Sequence, residues 1–290
     1  MKLGVVTPVV TRLPRAHATW EATAGVEEIA HVGVEAERLG YHHLTCSEHV
    51  ALPTEVVNTR GATYWDPLPV FGYVAARTTT IRLATHLLVL GYHHPLAIAK
   101  RYGTLDRVSG GRLILGVGVG SLREEFDLLG AEFEDRGERG DDAIRALRAS
   151  LSRLEPVYRG THYAYDGFVV DPCAVQPRVP IWVGGRTARS LRRAVELADG
   201  WAPFGLAQAD LADMIARVRD TEAWAARAGM PFELVLQNEH PFDPGVEPDR
   251  VRDAVERLAE AGATTVNVRF VHHSLDHYVE QLAAMRGLLP

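Results

Sequence analysis

Short apolar runs alternate with amphipathic stretches along the whole chain, and this alternation repeats eight times. Residues 3–7 (LGVVT) read as a strand. Residues 25–40 follow as a helix with Ile29, Val32, Ala36 and Leu39 on one face, closed by Gly40. The same pairing recurs as strand 42–46 with helix 66–79, strand 81–90 with helix 95–111, and strand 112–118 with helix 139–154. It resumes as strand 181–185 with helix 187–200, strand 200–204 with helix 208–229, strand 232–237 with helix 248–262, and strand 264–270 with helix 276–289. Crossovers of this length imply parallel strands. Eight such units in 290 residues point to an α/β chain closed as a (β/α)8 barrel, one domain over residues 1–290. An open doubly wound sheet uses the same alternation, but it expects a glycine-rich turn after its first strand. This chain reads VVTPVVTRLPRAH there, over residues 5–17.

The rhythm loosens after the fourth strand. Residues 121–130 read as a short extra helix. Residues 157–171 alternate in period two around Gly160 and Asp166–Gly167, the pattern of a small hairpin inserted after the fourth unit.

Composition removes several function classes. A net charge of −6 provides no broad basic surface for nucleic acid. Only Lys2 and Lys100 are lysines among 31 basic residues; the arginines are spread along the chain, as a genomic base-composition bias would leave them. No apolar run reaches the length of a membrane span, and residues 1–10 are too short and strand-like for a signal peptide. Cys46 and Cys173 stand far apart in no CxxC pair, which suits the reducing cytoplasm.

In a (β/α)8 barrel the chemistry sits at the C-terminal ends of the strands. The second strand ends on Glu48–His49, an acid and an imidazole where a buried strand meets the mouth. The third brings His86, His93 and His94 into the neighbourhood. No catalytic metal is expected. The first strand ends in TPVV rather than His-x-His, His42–His43 lie at the wrong end of their strand, and adjacent His93–His94 face opposite ways when extended. Gly116, Gly118 and Gly120 alternate with valines, and Ser121-x-x-Glu124 fits a capping box opening the next helix. Two readings fit this stretch: a tight turn before a capped helix, or a row of amides for an anion. Gly184, Gly185 and Arg186 form a second loop of the same kind before a helix. His49 fits a hydrogen-bonded wall residue or a general acid/base.

Three stretches, YHHLTCSEHVALP, ARTTTIRLATHLLVLGYHHPLAIAKRYGTLDRVSGGRLILGVGVG and PIWVGGRTARSLRRAVELADGW, resemble the luciferase-like monooxygenase superfamily, and more narrowly its coenzyme F420-dependent oxidoreductases. The likeness runs from the first strand to DGWAPF and weakens after about residue 205. It implies a luciferase-like barrel holding F420, or alternatively FMN, at the strand C-termini. It implies Glu48 and His49 as the catalytic pair, and a kinked third strand, often a non-prolyl cis peptide, under the ring near Thr85 and His86. Phosphate loops would be Gly118, Val119, Gly120 and Gly184, Gly185, Arg186. A small-molecule substrate and a homodimer are part of the same expectation.

Three positions depart from the pattern. Ser121 stands where the sugar-phosphate dehydrogenase branch has an acid, Ala51–Leu52–Pro53 where it has a Trp, and Glu48 where Asp is usual. Glucose-6-phosphate oxidation is therefore not expected. The implied mechanism is hydride transfer at the deazaflavin C5 to or from a C=C, C=N or C=O carbon. His49 would move the substrate proton, and Glu48 would orient His49 or meet the ring. The family's flavin monooxygenases, and a barrel that binds flavin without turnover, are the alternatives. Residues 53–66 read as a long loop over the mouth, in which Tyr64 and Trp65 either wall a pocket or pack onto a helix.

Overall fold

The computed structural model describes residues 1–14 and 17–289. Eight parallel strands run β1 (Lys2–Val5), β2 (His43–Cys46), β3 (Arg82–Thr85), β4 (Leu113–Gly118), β5 (Ile181–Gly184), β6 (Gly200–Ala202), β7 (Glu233–Gln237) and β8 (Thr265–Val268). Each pairs with the next in sequence, and β8 pairs back onto β1 through Lys2↔Thr265 to Val5↔Val268, so the sheet closes. The fold is the (β/α)8 barrel that the alternation implies.

Eight main helices cover it: α1 (Val26–Arg38), α2 (Pro67–Arg77), α3 (Pro95–Val108), α4 (Arg136–Ser150), α5 (Ala188–Leu197), α6 (Gln208–Arg219), α7 (Pro248–Glu260) and α8 (Leu275–Leu288). Local chemistry sets their starts. Asp66 accepts from Leu68 N with Pro67 in the first turn of α2, His94 Nδ1 accepts from Leu96 N ahead of Pro95 in α3, and Thr187 and Ser190 form a reciprocal box at α5. Gly40 takes φ +76 just past α1, the left-handed turn that ends a helix.

Strand alternation divides the core in two. Leu44, Leu83, Leu115, Val183, Trp201, Leu236 and Val266 face outward onto the helices, where Ile29, Val32, Ile144, Leu191 and Leu258 meet them. Burying one such side chain contributes about 1.5–3 kcal/mol. Ala84, Ile114, Trp182, Ala202 and Val235 fill the barrel interior.

Several sequence expectations are corrected at the mouth. The third strand is regular only to Thr85; Leu88–Val89 forms a separate short strand beside Val117–Gly118. A continuous apolar run hides this break, because both pieces are buried. The non-prolyl cis peptide expected near Thr85 and His86 is present and joins His86 to Leu87; Thr85 stays in register with Cys46, and His86 N still donates to Cys46 O. The 53–66 segment is not a plain loop. It folds into helical turns at Thr54–Val56 and Val57–Arg60, then pairs Thr63–Tyr64 with Thr11–Arg12.

Further out, helix 208–229 ends at Arg219, and Thr221 caps a new turn at Glu222–Ala225. The inserted hairpin exists but is short: Tyr158↔Tyr165 and Arg159↔Ala164. It turns at residues 160–163, where Asp142 accepts from the His162 and Tyr163 amides. Asp166–Gly167 lies after the second strand. No helix among the described residues is long and apolar enough to cross a membrane.

Candidate active site

The mouth is built where β2 hands over to residues 47–51. Ser47 Oγ donates to His86 O at 2.7 Å, and Glu48 N donates to Leu87 O at 3.1 Å, so the end of β2 is stitched to the kink after β3. Glu48 turns to the same segment: Val89 N donates to Oε2 at 2.8 Å, and Oε1 lies 2.7 Å from His93 Nε2. The expectation that Glu48 orients His49 is therefore corrected. Its two oxygens are committed to the kink and to His93.

The acid beside His49 is Glu125. Its Oε2 lies 2.7 Å from His49 Nδ1 and accepts from Tyr92 OH at 2.7 Å, while Oε1 accepts from Val50 N at 2.6 Å and Ala51 N at 3.2 Å. Burial pushes the Glu125 pKa up, but hydrogen bonds from His49, Tyr92 and the Val50 amide outweigh it and hold the carboxyl below its ordinary range. An ionised Glu125 fixes the His49 proton on Nδ1 and leaves Nε2 as the lone-pair nitrogen. The His49 ring also meets Tyr64 edge-on, with centroids 4.5 Å apart. Trp65, by contrast, packs on the outer core.

Glu125 comes from the short helix Arg123–Leu128, which begins after Leu122 rather than at Ser121. The Ser121–Glu124 capping box is not formed. Leu122 is buried and cannot cap, Glu124 is exposed, and Ser121 Oγ instead accepts from Arg60 Nη1 at 3.4 Å. A signal for Glu125 exists in the sequence: Leu122, Glu125 and Phe126 share one helical face, and an acid on an apolar face wants a partner.

The remaining candidates lie at or just past the C-terminal ends of β3, β4 and β5. Thr85 is fully buried and spends its hydroxyl on Gly116 O at 2.7 Å. His86 has its Nε2 buried with no partner, and burial lowers its pKa to about 4, so the ring is neutral at physiological pH. Gly118 ends β4. Val119 packs its side chain against α4 at Gly140, leaving its backbone in the loop. Gly120 takes φ +79 and lies against Phe126, where a Cβ would come within 2.5 Å. On the neighbouring strand, Gly184 ends β5 with Leu87 filling the space over it, Gly185 takes φ +116, and Arg186 is exposed with its Cζ 5.8 Å from the Phe204 ring. Among the described residues the amides of Val119, Gly120 and Arg186 donate to no protein acceptor. Two neighbouring loops with free amides, an orphaned imidazole nitrogen just past β3 and a His–Glu pair just past β2 fit a flat redox ring with an anionic tail.

The family model for luciferase-like monooxygenases matches residues 1–240. The chain belongs to this family. An uncharacterised protein of Mycobacterium tuberculosis is 30% identical over 285 residues, covering 97% of this chain and 94% of the relative. The monooxygenase RslO1 from Streptomyces bottropensis superposes with a TM-score of 0.75 at 20% identity, over 100% of this chain and 98% of that one. An F420-dependent secondary alcohol dehydrogenase, solved with an F420–acetone adduct, superposes at 0.76 and 13% identity, over 100% and 98%. At such identities the two structures show a shared luciferase-like fold.

Proposed function

We propose that this luciferase-like chain is a coenzyme F420-dependent oxidoreductase acting on a small organic substrate at a C=C, C=N or C=O carbon. The observation that carries the reading is the His49–Glu125 pair set beside two glycine loops with free amides. F420, when bound, supplies two-electron hydride chemistry that no side chain provides. The chain's own residues do the rest. The amides of Val119, Gly120 and Arg186 would hold the phosphate of the tail, and neutral His86 would meet the polar edge of the ring. His49 Nε2 gives or takes the substrate proton next to the reacting carbon, while Glu125 holds the imidazole in the tautomer this requires. Glu48 braces the kinked segment through Val89 and His93.

The second reading is an FMN-dependent monooxygenase, supported by the family's description and by the likeness to RslO1. Absorbance titration of the purified chain with F420 and with FMN separates the two. F420 is expected to bind at least tenfold more tightly; the reverse order would overturn the choice of cofactor.

A further inference from the structure

Burial lowers the pKa of several arginines, and the charges around them differ. Arg82 feels Asp106 and Glu233, Arg112 feels Glu37, and Arg148 and Arg227 feel Asp199. Arg269, just past β8, is the exception: burial is the one influence on it, with no carboxylate to offset it. Among the described residues its buried Nε has no partner, and the one hydrogen bond of the guanidinium runs from Nη2 to Glu239 O at 3.0 Å. Arg269 is half-buried, and an arriving anion would give its Nε–H the acceptor that the protein does not supply.

Arg269 lines a cavity of about 60 Å³ at the C-terminal ends of β6, β7 and β8. Phe204, Leu206 and Leu211 form apolar walls, and Gln237 and Asn238 add polar ones. The Gln237 side-chain amide makes no hydrogen bond within the protein among the described residues, whereas Asn238 Nδ2 donates to His240 O. Glu239 also lines the cavity, but its side chain is exposed and pairs with no cation among the described residues. The space holds a few water-sized molecules, enough for a carboxylate head. Phe204 is the wall shared with the mouth: its ring lies 6.3 Å from His86 and 5.8 Å from Arg186 Cζ.

We infer that this cavity is the anchor for a carboxylate on the substrate, gripped by Arg269 with Gln237 and placed so that the apolar body lies over Phe204 toward the mouth. The carboxylate takes the parallel N–H donors of the guanidinium, and Gln237 donates to its second oxygen. The substrate class is thus an organic acid with an apolar segment between its carboxylate and the reacting carbon. That last step rests on the oxidoreductase reading; the anion site itself does not.

Calorimetric titration of the full chain with hexanoate and with hexanamide tests it, alongside a separate F420 titration. Hexanoate should bind at least tenfold more tightly than hexanamide. Arg269→Gln should reduce that preference below twofold while leaving F420 affinity unchanged, and Arg252→Gln on the outer surface should change neither. Equal binding of acid and amide, or a preference that survives Arg269→Gln, overturns the site. If Arg269→Gln does not fold, Gln237→Leu decides: a severalfold loss for hexanoate alone supports the anchor, and unchanged affinity overturns it. A hexanoate preference without F420 binding sinks the cofactor reading and leaves the anchor standing; F420 binding without the preference does the opposite.

Discussion

His49 Nδ1 and Glu125 Oε2 lie 2.7 Å apart although 76 residues separate them, and the carboxylate also receives the Val50 and Ala51 amides that follow His49. One acid therefore fixes both the imidazole and the backbone that carries it. Its own helix is held by Leu122 and Phe126, which are buried.

Glu125→Gln is expected to lower kcat about 10- to 100-fold, part of the 10²–10⁴-fold that a positioned general acid/base supplies. The neutral amide no longer holds the His49 proton on Nδ1. The rising limb of the pH–rate profile should move, while F420 affinity by absorbance titration stays within about twofold. A profile identical to wild type would assign Glu125 a packing role only.

His49→Ala should cut turnover by about 10²–10⁴, the range for loss of a general acid/base, with F420 still bound. Full activity in a folded, cofactor-loaded variant would remove His49 from proton transfer.

Much of the barrel is legible in the sequence itself. The barrel strands show because each is a short apolar run followed by a capped amphipathic helix, and the glycine loops show because alternate glycines are rare inside strands. The pairings at the mouth do not. Ser121 and Glu124 fit a capping spacing that draws attention away from Glu125, although Leu122, Glu125 and Phe126 share the helical face that turns inward. Glu48 pairs with His93 across 45 residues because β2 and the kink after β3 run side by side, a contact no local pattern encodes. The interruption after Thr85 is invisible for a related reason: buried strand and buried irregular segment share one composition.

Gly120→Ala tests the loop's geometry. Gly120 sits at φ +79, and the added methyl would lie 2.5 Å from Phe126 Cε2 and 2.9 Å from Val89 Cγ1. Left-handed strain and overpacking together should cost about 2–4 kcal/mol, read as a fall in Tm, and F420 affinity should fall with it. An unchanged Tm would show that the turn tolerates a side chain.

Acid sensitivity should centre on Glu37. Its carboxylate accepts the Thr79, Thr80 and Ile81 amides and so ties α1 to the turn before β3. Burial opposes ionisation there, but these hydrogen bonds win and bring the pKa from 4.5 to about 2. A carboxyl with a depressed folded pKa contributes stability that is fully present above the unfolded value and is lost as pH falls through the folded one. The window is therefore pH 4.5 down to about 2. With solvent screening at this partly exposed site, the contribution is about 1–2 kcal/mol. Denaturant unfolding of Glu37→Gln should show that deficit at pH 7 and a smaller one at pH 3. An equal deficit at both would mean that ionisation is not its source.

The account turns on where the anionic tail of a bound F420 sits. A crystal structure of the F420-loaded protein measures this directly: the phosphate should lie within hydrogen-bonding distance of the Val119, Gly120 and Arg186 amides, with the deazaflavin beside His86 and the substrate face toward His49. A phosphate held anywhere else on the barrel, with those three amides facing only water, would contradict it.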